Sequence, residues 1–250
     1  MHAAADSTNA SKLTHLQRYD QIVSGTRNLL NLAVACGAER FLLTSSGAVY
    51  GVQPPHLDLI PEDWQGIPDP LNPANAYGIG KRVAEHLCAS YAQVYGLRTV
   101  IARCFAFVGP DLPLDVHFAI GNFIGDALWR DEITVAGNGT PLRSYLDQQD
   151  LAHWLFKLLN HGQPGQAYNV GSDRAIGIAD LANLVRDVVA PSKQVQIFGG
   201  GEDRGERSIY IPSIQKAKDD LGLSVRISLE DAIRTTAVAA KAKADSGKSA

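Results

Sequence analysis

The sequence predicts an α/β fold, and three observations point to it. Over the first 110 residues, helix-like patterns alternate with short apolar runs of strand length. Those runs, such as Phe41-Leu42-Leu43, are continuously apolar, as strands of a parallel sheet buried on both faces must be. After Gly109-Pro110 the texture changes to shorter, mixed elements, which reads as a smaller second lobe.

Lys12 to Cys36 reads as a helix. Leu13, Leu16, Ile22, Val23, Leu29, Leu30, Leu32 and Ala33 recur at roughly helical spacing, and Gly37 supplies the stop. Phe41 to Ser45 reads as a buried strand, followed by a Pro- and Asp-rich loop from Gly51 to Pro73. Asn75 to Tyr95 reads as a second long helix closed by Gly96, and Thr99 to Phe105 as another buried strand. Beyond Pro110, helices are expected over Phe118 to Arg130, Gln149 to Leu159, Ile178 to Val189, Ile214 to Leu221 and Leu229 to Ala240. Short strands are expected at Ile133 to Val135, Ala167 to Val170 and Gln194 to Ile197. Asp150 reads as the N-cap of a helix beginning near Leu151. Lys241 to Ala250 is small and polar and reads as a flexible tail.

Bulk properties narrow the function. The chain has 250 residues, 45% of them apolar, enough for a sizeable core. A net charge of -3 with 20% charged residues gives no basic face for a nucleic acid. Cys36, Cys88 and Cys104 lack CxxC spacing, which points to a reducing compartment and away from disulfides. No apolar run approaches the ~18 residues of a membrane span. The start, Met1 to Asp6, lacks the basic and apolar parts of a signal peptide. A soluble cytoplasmic protein is therefore expected. His2, His15, His56, His86, His117, His153 and His161 show no ligand spacing with one another or with Cys, so no metal site is expected. Trp64, Trp129 and Trp154 read as packing residues.

The chemistry lies in Tyr77 and Lys81. A spacing of four places both on one helix face, one turn apart. An ammonium beside a phenol stabilises the phenolate and is expected to lower its pKa from ~10 toward neutrality. Such a tyrosine can take a proton from a sugar hydroxyl as hydride leaves, or return one. Thr44-Ser45-Ser46-Gly47-Ala48-Val49-Tyr50-Gly51 ends the preceding strand, where ligands of parallel sheets sit.

Strand, Ser-Ser-x-x-Val-Tyr-Gly, loop, then Tyr-x-x-x-Lys resembles the extended short-chain dehydrogenase/reductases, the NAD-dependent epimerase/dehydratase group. The resemblance implies Ser46, Tyr77 and Lys81 as the catalytic set. His2-Ala3-Ala4-Ala5 is similar to the piece ending the fourth strand beside the cofactor, which implies Ala3, Ala4, Ser45, Tyr77 and Lys81 around NAD or NADP. Ser24 to Leu30, Arg103 to Pro110 and Tyr168 to Gly171 are similar to further family segments. Gly139 to Asp150 resembles the segment whose Arg holds the nucleotide diphosphate, which implies Arg143; Arg204 lies near the place of a second. Phe118 stands where the family's substrate-cover segment begins, beside His117. The resemblance implies a Rossmann-type doubly wound parallel sheet, N-terminally truncated, over 1–110, and a mainly substrate-binding lobe over 111–240. It also implies a nucleotide-sugar substrate and a homodimer at full length, in which the first helix would meet its symmetry mate.

The chain departs from the family pattern in places. No Gly-x-x-Gly-x-x-Gly motif is present, and the sequence opens where the fourth strand should end. Roughly 60 to 80 further residues are expected to precede it, two or three βαβ units. Ile22 and Ala106 stand where the family often has Asn. Gly47-Ala48 stands where dehydratases carry Asp-Glu and decarboxylases a carboxylate, and neither residue can transfer a proton. A 4-epimerase or a 4-keto reductase is therefore expected. The alternatives are a cofactor-less sugar-nucleotide-binding module and a family-level dehydratase.

Overall fold

The computed structural model describes residues 1–3, 13–116, 118–199 and 208–247. In chain order the elements begin with α1 (His15–Ala35), β1 (Arg40–Ser46), α2 (Ala76–Tyr95), β2 (Arg98–Cys104) and β3 (Phe107–Val108). Next come α3 (Ala119–Trp129), β4 (Ile133–Val135), β5 (Leu142–Arg143), β6 (Leu146–Asp147), α4 (Gln148–His161) and β7 (Ala167–Val170). The chain continues with β8 (Ile176–Gly177), α5 (Ile178–Val189), β9 (Val195–Ile197), β10 (Ile209–Tyr210), α6 (Gln215–Leu221) and α7 (Leu229–Gly247).

The apolar runs at Arg40 and Arg98 form the centre of a parallel sheet ordered β1-β2-β7, with Ser45 opposite Arg103 and Ser46 opposite Cys104. His2 continues the sheet past β1: its N–H donates to Leu42 O at 2.8 Å, and its carbonyl accepts from Thr44 N at 3.0 Å. Alternation along the strands feeds two cores. Phe41, Leu43 and Ile101 meet Ile22 and Leu30 of α1 and Ala84 and Cys88 of α2. On the other face, Leu42, Val100 and Ala102 meet Trp154 and Leu158 of α4 and Ala217 of α6. Helices on both faces of a parallel sheet make the doubly wound α/β arrangement the sequence predicts.

Local signals set the boundaries. Thr14 and Gln17 form a capping box at the start of α1, and Gly96, with φ of 69°, takes the left-handed turn that ends α2. The remaining elements build the second region around Ile120, Phe123, Ile124, Ile133, Leu181 and Ile233. Its sheets are small: β4 with β9, β3 with β6, and β5 between β10 and β8. The chain crosses between the regions, because α4, β7 and α6 follow residue 110 yet complete the main sheet and its cover.

Two sequence expectations are corrected. Asp147, not Asp150, caps α4, accepting from Gln149 N at 2.7 Å. Asp150 lies buried in the first turn, where its Oδ2 accepts from the N–H of Arg226 and Ile227. The expected tail also begins too early, since α7 continues to Gly247. Its Ala and Lys residues favour helix, and Lys243 reaches Pro110 O and Asp111. Among the described residues, no helix is long and apolar enough to cross a membrane.

Candidate active site

The carboxyl end of β1 carries the site. The strand stops where Ser46 Oγ accepts the N–H of Ala48 at 3.2 Å and starts a short 3-10 turn, Gly47–Tyr50. Helix α2 begins directly above that turn. A Cβ on Gly78 would stand 2.7 Å from Ala48 O, so glycine lets the first turn of α2 come down onto β1. This close approach brings half-buried Tyr77 to the Ser46 hydroxyl. Ile22, buried against Gly80, packs α1 onto the same stretch of α2, a structural use for the position where the family often has Asn.

Lys81 is buried, donates to Thr44 O at 2.7 Å, and stands 5.8 Å from the centroid of the Tyr77 ring. Sequence spacing thus located the pair, but the expected pKa effect is corrected. Burial raises the Tyr77 pKa; the Ser46 hydroxyl and, more weakly, Arg18 pull it down, while Cys104 pushes it up. Burial also lowers the Lys81 pKa, opposed by Cys104 and Glu85. The ammonium is held on the Thr44 carbonyl, and desolvation of the phenol wins.

Ser45, expected beside a cofactor, has its hydroxyl engaged by a residue of α2. Its hydroxyl donates to Glu85 Oε1 at 2.5 Å. Glu85 pairs with Arg103 at 2.8 Å, and Arg103 donates to Tyr50 Oη at 2.8 Å and Glu62 O at 2.9 Å. Tyr50 in turn donates to Asn169 Oδ1 at 2.8 Å, and Glu62 Oε1 accepts from Asn169 N at 2.8 Å. This buried network ties α2 to β1, β2 and β7. Sequence reasoning missed it, although Glu85 follows Lys81 by four and continues the same helix face.

Arg143 lies on β5 opposite Tyr210 of β10 and donates to Leu142 O, Ser208 O and Ser208 Oγ. Burial lowers its pKa, while Tyr145 and Tyr210 raise it. Tyr210 is the residue the sequence did not reveal, because a two-residue strand carries no periodicity; its hydroxyl stands beside Ser46. Phe118 takes the N-cap position of α3. Ala3 is exposed just past the His2 bridge. Ala4, His117 and Arg204 lie outside the described residues. Among the described residues, no group of three or more His, Cys, Asp or Glu could hold a metal ion.

A cofactor at this edge has partial counterparts among the described residues. The Lys81 ammonium carries three donors and meets one described acceptor, Thr44 O. His2 Nε2 pairs with Thr26 Oγ1 at 3.1 Å, while its buried Nδ1 has no described partner. These groups fit the ribose end of a nicotinamide nucleotide.

Comparisons with known proteins bear on the family and the fold. A family model described as the NAD dependent epimerase/dehydratase family matches residues 1–171. UDP-glucuronic acid decarboxylase 3 of Arabidopsis thaliana is 33% identical over 211 residues, covering 84% of this chain and 60% of the relative. UDP-glucuronic acid decarboxylase 1 of Xenopus tropicalis is 32% identical over 212 residues, 85% of this chain and 49% of the relative. The chain thus spans well under two thirds of these relatives' length. Among solved structures, a UDP-glucose 4-epimerase of Thermotoga maritima with UDP-glucose superposes with a TM-score of 0.84 at 24% identity, covering 97% of this chain and 77% of that one. RMD from Pseudomonas aeruginosa, complexed with NADPH, gives a TM-score of 0.79 at 27% identity over 92% of this chain and 76% of that one.

Proposed function

This chain belongs to the NAD-dependent epimerase/dehydratase family, and on that premise we propose that it transfers hydride at C4 of a nucleotide-linked hexose, as a 4-epimerase or a 4-keto reductase. One observation supports the reading above others. Ser46, Tyr77 and Lys81 stand together at the exit of β1, while the adjoining Gly47 and Ala48 have no side chain that could move a proton. Hydride exchange at one carbon needs one acid/base, whereas elimination of water needs more.

A bound nicotinamide would take hydride from C4 or deliver it there. Tyr77 would accept the C4 hydroxyl proton in the oxidative direction and give one to the ketone oxygen in the reductive direction. Burial favours its protonated form, the form that gives a proton in the reductive direction. Ser46 would hydrogen-bond the same substrate oxygen. Lys81 would hold the ribose, and Arg143 the diphosphate.

A second reading is favoured by the 33% identity with the UDP-glucuronic acid decarboxylases. The same oxidation at C4 of a nucleotide-linked uronic acid would be followed by loss of its carboxylate as CO2, protonation at C5 and return of the hydride to the C4 ketone. One experiment separates the two. The chain is incubated with NAD+ and UDP-glucose or UDP-glucuronic acid, and the anomeric protons are followed by NMR. A C4 epimer supports the first reading, and a UDP-pentose the second. No reaction with either sugar, nor with a 4-keto nucleotide sugar and reduced cofactor, from protein shown by titration to bind the cofactor, overturns both. Tyr77→Phe is expected to lower turnover by about 100-fold or more while leaving cofactor affinity nearly unchanged.

A further inference from the structure

Lys81 is 4% exposed, and its described hydrogen-bond partner is the Thr44 carbonyl at 2.7 Å. A carbonyl satisfies one donor but brings no counter-charge, and a buried ammonium without one is costly. Glu85 stands one turn further along the same face of α2. The strands beneath hold it there. Ser45 and Arg103 are register partners on β1 and β2, and strand alternation sends both side chains to one face of the sheet. Ser45 Oγ donates to Glu85 Oε1 at 2.5 Å, and Arg103 donates to Oε1 at 3.1 Å and to Oε2 at 2.8 Å. Both carboxylate oxygens are thus engaged, and the Glu85 side chain is only 12% exposed.

We propose that Glu85 is a positioning residue of the active site, whose carboxylate, pinned by Ser45 and Arg103, is the fixed counter-charge of the Lys81 ammonium. Thr44 takes Lys81 and Ser45 takes Glu85, so two successive turns of α2 are set against two successive residues of β1. Arg103 reaches Glu85 from β2 and continues to Tyr50 Oη at 2.8 Å and Glu62 O at 2.9 Å. Of that ion pair, the carboxylate is the member on the same helix as Lys81, and its charge acts across one turn in a site of low dielectric. The groups facing Lys81 are Thr44 O from β1, Cys104 from β2, His2 at the sheet edge, and Tyr77 and Glu85 from its own helix. Burial lowers the Lys81 pKa, while Cys104 and Glu85 raise it. Burial also pushes the Cys104 thiol up to about 12 and the Tyr77 phenol above its ordinary value. Both are therefore uncharged where Lys81 titrates, which leaves Glu85 as the anion.

What the Lys81 charge does rests on the proposed function, in which it holds a ribose, but the test needs no turnover. The whole chain is labelled with carbon-13 lysine. The Lys81 Cε signal, assigned by its loss in Lys81→Arg, is titrated by NMR toward alkaline pH. Glu85→Gln keeps an acceptor for Ser45 and removes the charge, and is expected to lower the Lys81 midpoint by about one pH unit. Glu85→Gln combined with Arg103→Gln leaves no buried charge unpaired, which guards against a single variant that fails to fold. It is expected to lower the midpoint likewise. An unchanged or raised midpoint in the double variant overturns the proposal. A fall in the single variant alone would come from the Arg103 guanidinium left without its partner, and overturns it too. Should the chain turn over no nucleotide sugar, the proposed function fails while this titration still decides the role of Glu85.

Discussion

At Glu62 desolvation outweighs the partners, and the consequence can be read at a single residue. Burial pushes its carboxyl up from the ordinary value, against the pull of the Asn169 and Glu62 backbone N–H groups, Lys216 and Arg103. The folded state thus holds the proton more tightly than the unfolded chain does. The stability this contributes is full below the ordinary carboxylate pKa and is lost as pH rises through the raised value. Glu62→Gln keeps an oxygen for Asn169 N and removes the charge. It should raise Tm at pH 7, by about 1 kcal/mol at most because solvent reaches part of the side chain, with the gain vanishing near pH 4. Melts of both proteins at the two pH values check this; an equal gain at both would separate the effect from ionisation. The same competition explains what the sequence could not show for Tyr77 and Lys81. Their spacing disclosed a shared helix face, but burial decided the direction of the phenol's pKa. Ser45 and Ser46 looked alike in sequence, and strand alternation alone sent one to Glu85 and the other to Ala48 and the two phenols.

Among elements, long periodic segments were legible and short ones were not. Helices α1, α2, α3, α5 and α6 lie within a few residues of their expected bounds, because an apolar stripe repeats over several turns. The strands β3, β5, β6, β8 and β10 have two residues each, too few for any pattern, and β5 and β10 are the ones that set Arg143 opposite Tyr210. Helix α4 shows a subtler limit. Asp147 and Asp150 are both plausible caps, and only tertiary structure gives them different work. Asp150 is buried and accepts the N–H of Arg226 at 2.8 Å and of Ile227 at 3.0 Å, tying the start of α4 to the approach of α7. Asp150→Ala leaves both donors without their charged acceptor. The expected cost is about 2 kcal/mol, or roughly 4 to 8 °C in Tm for a chain of this size, read by calorimetry. A change under about 1 °C would mean that water replaces the carboxylate at no cost.

On the scale of the whole molecule, the texture change at Pro110 marks a change of element size, and the main sheet does not end there. Strand β2 is the middle of the three, and its partner β7 comes from residues 167–170. The face of the sheet formed by Leu42, Val100 and Ala102 is covered by Trp154, Leu158, Ile214, Ala217 and Leu223, all beyond residue 110. Other ties cross the same divide: Arg40 donates to Leu159 O, Gly165 N to Thr99 O at 2.7 Å, and Asn169 N to Glu62. Each large apolar side chain removed from water contributes about 1.5 to 3 kcal/mol, and a whole domain is stable by only about 5 to 15 kcal/mol. Removing half a core therefore exceeds any reserve the first region could hold. The reverse does not follow, because among the described residues the core around Ile120, Phe123, Leu181 and Ile233 draws on the first 110 only through Val108. Residues 1–110 expressed alone are thus expected to bind a hydrophobic dye and to show no cooperative thermal transition by circular dichroism, whereas the 250-residue chain melts cooperatively. A sharp melt from residues 1–110 would show that α1, α2 and the two long strands hold together without their second layer. In that event the buried network from Ser45 through Glu85 and Arg103 to Tyr50, which lies wholly within those residues, would be the first place to look for the missing stability.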